Sequence, residues 1–171
     1  MPPNSFARAA TARIQILAPA AELDFLDSQS VVLPAQITPL EAWNLMHARP
    51  LPGLRLAFWL RDAVSACFGV KRIGGISSQP HTGVRTGDKL DFFLVEAVSD
   101  TILTLTVRDR HLDVMTCLTS SRGVLTVTSS VKTRNWFGRA YMIPVRPAHK
   151  LIVAMSLKRL EQALERRSAA S

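Results

Sequence analysis

The sequence predicts an α+β domain, a curved antiparallel sheet wrapped around a long C-terminal helix, with two short helices after the first strand. Three observations carry this. Strand-like runs broken by short turn signals fill residues 89–133. Val153, Leu157, Leu160 and Leu164 form an apolar seam at helical spacing near the end. At 171 residues and 47% apolar content, the chain can bury one full core.

The elements follow in order. Ala21–Leu33 reads as an extended first strand ended by Pro34. Thr38 is set up as an N-cap, Pro39 as the first helical residue and Glu41 as the third residue of a capping box. That helix carries Trp43 and Met46 and stops at Arg49, because Pro50 disfavours α geometry in the residue before it. A second helix is expected over Leu54–Phe68, with Leu56, Leu60, Ala63 and Cys67 on one face and Gly69 as its C-cap. Val70–Asp88, with Gly74, Gly75, Pro80, Gly83 and Gly87, reads as a long loop that either covers a cavity mouth or hides a poor strand.

Four strands are then expected, Lys89–Val98, Ile102–Arg108, His111–Thr119 and Val124–Thr133, joined as a meander by breaks at Ser99–Asp100, Asp109–Arg110 and Ser121–Gly123. Gly138–Val145 is read as one more strand, and Pro147–Arg167 as the closing helix with Pro147 at its start. The order is that of a helix-grip, in which the sheet and the last helix enclose a cavity. Residues 1–20 are expected to form a flexible arm, 21–167 the single domain and 168–171 a disordered tail.

Composition narrows the function classes. The longest apolar stretches, Ala63–Val70 and Leu151–Leu157, are too short to span a bilayer. No secretory leader pattern is present, and two cysteines without a CxxC spacing suit reduced thiols in the cytoplasm. The net charge of +8 favours anionic partners, and half the excess lies from Arg146 onward, where six Lys/Arg face two Glu. The charge is not blocky, and the tryptophans do not interleave with basic residues, so nucleic acid is disfavoured. Phosphate loops, nucleophile elbows, zinc motifs and dinucleotide fingerprints are all missing, so no cofactor and no metal are expected.

Residues able to do chemistry are few. His111 and Asp113 stand two apart on an expected strand, sharing one face, where Asp113 could orient His111 as a general base. The competing account is a polar cross-strand cluster with Arg108 or Arg110. Arg139 and Tyr141 would likewise share a strand face and bind a carboxylate or phosphate, unless Arg139 pairs with Glu96 or Asp91. His149, at the expected helix start, is placed at the cavity entrance or in a structural hydrogen bond. Trp43, Trp59 and Trp136 are assigned to core or cavity lining, with Trp59 a ligand-binding candidate.

Several separate blocks resemble one known family. They are Glu22-Leu23-Asp24-Phe25, Leu60-Arg61-Asp62-Ala63-Val64, Phe68-Gly69-Val70-Lys71, Arg110-His111-Leu112-Asp113, Gly138-Arg139-Ala140-Tyr141-Met142 and Pro147-Ala148-His149-Lys150. The chain from about Ala21 to Leu164 is similar to the bacterial domain of unknown function 2867. The resemblance brings no established activity. Its element order is similar to START-like (SRPBCC) helix-grip proteins, which implies a hydrophobic ligand and, in some members, cyclase or hydrolase chemistry. The family pattern commonly has an aromatic where this chain has Ala148. A cavity lined there would be wider.

Three function classes follow. The first is a protein holding a small apolar or amphipathic molecule between sheet and helix, oriented by Arg139, Tyr141 and His149. The second is an enzyme using His111 with Asp113, or His149 with Tyr141. The third is an interaction module for an anionic partner, or one that self-associates as a homodimer through a sheet edge.

Overall fold

The computed structural model describes residues 13–48 and 79–169. The expected helix over Leu54–Phe68, most of the 70–88 loop, Trp59, Cys67 and the Arg61-Asp62 pair lie outside the described residues.

A 3₁₀ turn over Ala20–Glu22 leads into β1 (Phe25–Val32). Helix α1 (Pro39–His47) starts as its sequence dictates, with the Glu41 amide donating to Thr38 Oγ1 at 3.2 Å. The sheet continues through β2 (Lys89–Leu90), β3 (Phe93–Val98), β4 (Ile102–Arg108), β5 (Leu112–Ser121) and β6 (Val124–Thr133). Helix α2 (Trp136–Ala169) closes the chain. The strands form an open antiparallel sheet in the order β1-β6-β5-β4-β3-β2. The expected α+β class holds, with an antiparallel sheet, a long C-terminal helix and a short helix after the first strand.

Two elements depart from the expected pattern. The run Lys89–Val98 is not one strand, because a two-residue turn at Asp91–Phe92 folds it into the β2–β3 hairpin, with Asp91 left-handed at φ 57°. Gly138–Val145 is not a strand either. Helix α2 starts eleven residues before Pro147 and runs through Pro144 and Pro147. Asn135 explains the early start, since its Oδ1 accepts the Gly138 amide at 3.0 Å as an N-cap. Gly138 must be glycine, because a Cβ there would collide with the His111 carbonyl. The prolines are tolerated because the carbonyls they leave without a partner, on Ala140 and Ile143, belong to solvent-exposed residues.

The helices cover one face of the sheet and bury two apolar clusters. The larger joins Ala42, Trp43 and Met46 of α1 to Leu157, Leu160 and Leu164 of α2 over Leu103, Leu105, Leu118, Leu125 and Val127. The smaller joins Met142, Tyr141 and Val145 of α2 to Phe25, Leu112, Val114 and Val131. Between them the register sets a polar row across the sheet, in which Asp27 pairs with Ser129 and Ser129 with Thr116. On the opposite face the chain before β1 docks directly, with the Leu17 amide donating to Ser130 Oγ at 3.1 Å and the Gln15 amide to Cys117 Sγ at 3.4 Å. Cys117 is a buried free thiol.

Candidate functional site

The structure separates the residues that the sequence placed together. His111 lies in the β4–β5 turn, one residue before β5, and Asp113 in the strand. Asp113 receives a two-pronged contact from Arg134, with Nη2 to Oδ2 at 2.8 Å and Nε to Oδ2 at 3.2 Å. That contact raises the Arg134 guanidinium above its usual value. His111 is 6% exposed and turns to Asn135 instead. The Asn135 amide nitrogen donates to His111 Nδ1 at 2.9 Å and to the Arg110 carbonyl at 3.2 Å. Asn135 Oδ1, which accepts the Gly138 amide, also lies 3.2 Å from His111 Nδ1, so the one side-chain amide faces this ring nitrogen with both a donor and an acceptor. Asp109 Oδ1 accepts the amides of His111 and Leu112 at 2.7 and 2.9 Å and fixes the turn. This group ties the sheet to the start of α2. Phe137 packs against the His111 ring at 4.7 Å.

Arg139 and Tyr141 are helical, so their side chains point about 200° apart around α2 rather than sharing a face. Tyr141 packs into the smaller cluster and Arg139 is exposed near Asp24. Glu96, considered as a partner for Arg139, is held by Arg108 at 3.2 Å and by Thr106 Oγ1 at 2.8 Å. Trp43 is core, whereas Trp136 is 74% exposed. The space beneath Leu157–Leu164 is filled by the larger apolar cluster.

His149 does lie where sheet and helix meet. Its ring stands edge-on to Phe25 at 5.6 Å, and burial pushes its pKa below the usual 6.5 against a smaller opposing pull from Asp27. His149 Nε2 is buried with no hydrogen-bond partner among the described residues. Asp27 accepts from Gln29 Nε2 at 2.7 Å and has Lys150 Nζ at 3.8 Å. Beside these residues a groove of about 470 Å³ opens between β1 and α2, lined by Asp24, Phe25, Leu26, Arg146, Pro147 and Lys150. Phe25 and Lys150 belong to both places. Asp24 is held below the usual carboxylate range, chiefly by the Thr133 amide at 2.7 Å, while Arg146 Nη2 donates to the Asp24 carbonyl at 2.7 Å.

A second constellation was invisible in the sequence. His81 Nε2 lies 3.4 Å from Asp91 Oδ1, too poorly aligned for a hydrogen bond, and the Asp91 side chain is only 6% exposed. Asn44 anchors the His81 backbone on both sides, donating to its carbonyl and accepting its amide, each at 2.9 Å. His47 stands nearby. Its Nδ1 pairs with the Trp43 carbonyl at 2.8 Å, and burial lowers its pKa while Asp91 pulls it up. The chain positions 47, 81 and 91 follow no motif spacing. Asp91 is left-handed, and dihedral angles cannot be read from residue order. Among the described residues no group of three or more His, Cys, Asp or Glu side chains is arranged to hold a metal ion.

Fold and site together define an α+β protein with an open antiparallel sheet gripped by one long helix and a cation-flanked groove at the sheet edge. The chain belongs to the family described as protein of unknown function (DUF2867), which matches residues 19–156. No curated protein matches it. A crystal structure of a hypothetical protein from Helicobacter pylori is similar at 16% identity, covering 91% of this chain and 99% of its own, with a TM-score of 0.42. Among the described residues no helix is long and apolar enough to cross a membrane.

Proposed function

We propose that the protein binds a small amphipathic anion in the groove between β1 and α2. The observation that carries this is the groove lining, in which Phe25, Leu26 and Pro147 offer apolar contact and Arg146 and Lys150 offer two positive charges against the one carboxylate, Asp24, whose Oδ2 is already taken by Thr133. A concave site with mostly apolar walls and a few convergent polar groups is the usual form of a small-molecule site. The reading moves the ligand from under the helix, where leucines fill the space, to the edge where α2 crosses β1. A cytoplasmic setting goes with it, in keeping with the free Cys117 thiol.

The test is native mass spectrometry of freshly purified protein, followed by calorimetric titration with dodecanoate below its micellar concentration. We expect saturable binding, weakened roughly tenfold or more by Arg146→Gln, the scale of one charge-assisted hydrogen bond. Titration without saturable heat, or an R146Q variant that binds equally well, counts against the groove.

A second reading, an acid–base enzyme, is favoured by one observation, the approach of His81 to the shielded Asp91 beside His47. A carboxylate next to an imidazole is a common general-base arrangement. Hydrolysis of generic ester and lactone substrates that is lost in His81→Gln, with no change in dodecanoate binding, would favour it over the first.

A further inference from the structure

Helix α2 has a face that the core does not use. Trp136, Ala140, Ile143, Pro147, Leu151 and Ala154 follow one another at steps of three and four residues, so they line one stripe, and all six are exposed. The large ones are strongly so, Trp136 at 74%, Ile143 at 73% and Leu151 at 61%. Isolated exposed apolar residues are ordinary, but an aligned row of them along one helix is not.

The charge beside this stripe has one sign. From Trp136 to Leu160 the helix carries five Lys/Arg and no Asp or Glu. Arg139, Arg146 and Lys150 run down one flank and Lys158 lies beyond the far end. The carboxylates facing this flank are Asp24, near Arg139 and Arg146, and Asp27, 3.8 Å from Lys150. Two carboxylates against Arg139, Arg146 and Lys150 leave this flank with one net positive charge, and Lys158 adds a second before Glu161 and Glu165 follow on the same side.

We infer that this face of α2 docks the protein on an anionic lipid bilayer, with Trp136, Ile143 and Leu151 entering the interface and the basic flank meeting phosphate headgroups. An exposed Trp with aliphatic neighbours and flanking Lys/Arg is the chemistry of helices that lie in a membrane surface. A second copy of the chain is a poorer occupant, because an antiparallel two-fold pairing of the helices would set the same positive flank beside itself. A polyanion without an apolar phase would leave the Trp136–Leu151 stripe unused. The face shares Pro147, Arg146 and Lys150 with the groove, but its apolar anchors Trp136, Ile143 and Leu151 do not line it, so substitutions there test the two readings separately.

The experiment is co-sedimentation of the full chain with phosphatidylcholine vesicles, with and without about a quarter phosphatidylglycerol. Binding is expected only to the anionic vesicles and should fall steeply at roughly 0.5 M salt. The double substitution Ile143→Ser and Leu151→Ser, both at exposed positions, should weaken it about tenfold or more with an unchanged circular dichroism spectrum. It should leave dodecanoate titration unaltered, which separates failure here from failure of the groove. No sedimentation at low salt overturns the inference. So does vesicle binding indifferent to the double substitution, which marks mere charge adsorption, or tight retention on heparin with no vesicle binding, which marks a polyanion partner.

Discussion

Asn135 performs three jobs with one amide. Its oxygen caps α2, and its nitrogen fixes both the His111 ring and the Arg110 carbonyl. Asn135→Ala should therefore cost about 1–2 kcal/mol in denaturant unfolding, a lost cap plus buried polar atoms left unpaired. Asn135→Asp should keep the cap and lose the donor to His111, giving a smaller loss. His47 and His149 set a pH dependence whose sign is fixed. Burial lowers the pKa values of His47 and His149 below 6.5, so the unfolded chain binds protons more readily than the folded one. Stability is then full above the ordinary value, declines as pH falls through it, and levels off below the depressed folded values. Melting temperatures between pH 8 and 5 should show that decline, and His149→Phe, which keeps a ring against Phe25, should flatten it.

At the scale of elements, α2 shows why sequence reading succeeded in part. The β4 and β6 bounds were legible to the residue, because alternation and turn signals agree with the register that formed. The N-terminal third of α2 was not. Pro144, Pro147 and the alternating Arg139, Tyr141, Ile143 and Val145 read locally as a strand and a fresh helix start. What overrides this is tertiary, the Asn135 cap and the burial of Met142 and Tyr141 against Phe25, Leu112 and Val131. A strand here would set Arg139 and Tyr141 on one face, whereas the helix points them apart. His47, His81 and Asp91 were missed because only the fold brings them together. If Pro144 is a burden that packing overcomes, Pro144→Ala should raise helical circular dichroism and stabilise by roughly 1–2 kcal/mol, part of the usual penalty of an interior proline. A loss of stability instead would mean that α2 needs its proline bend to follow the sheet.

At the scale of the molecule, the two clusters share one helix but not one fate. Leu160 is fully buried in the larger cluster, where α1 and α2 meet the sheet, so Leu160→Ala should cost about 2–5 kcal/mol and lower the melting temperature by roughly 5–15 °C. The smaller cluster rests on β1, an edge strand, and on the part of α2 that carries the prolines. Hydrogen exchange should find amides of Phe25–Val32 opening more readily than those of β5, which has a partner on each side.

The pairing of β1 with β6 has a kinetic consequence. Phe25 meets Val131 and Val32 meets Val124, so the first strand made is joined by the last. During synthesis β1 must wait for about a hundred further residues, roughly 5–20 s at ordinary translation rates. The β2–β6 meander can assemble from neighbours as it emerges, whereas β1 and the groove beside it form only when the chain is nearly complete. A ribosome-bound intermediate halted shortly after Asp100 would thus expose Phe25 and Leu26 to chaperones, and the groove would be the last part of the molecule to exist.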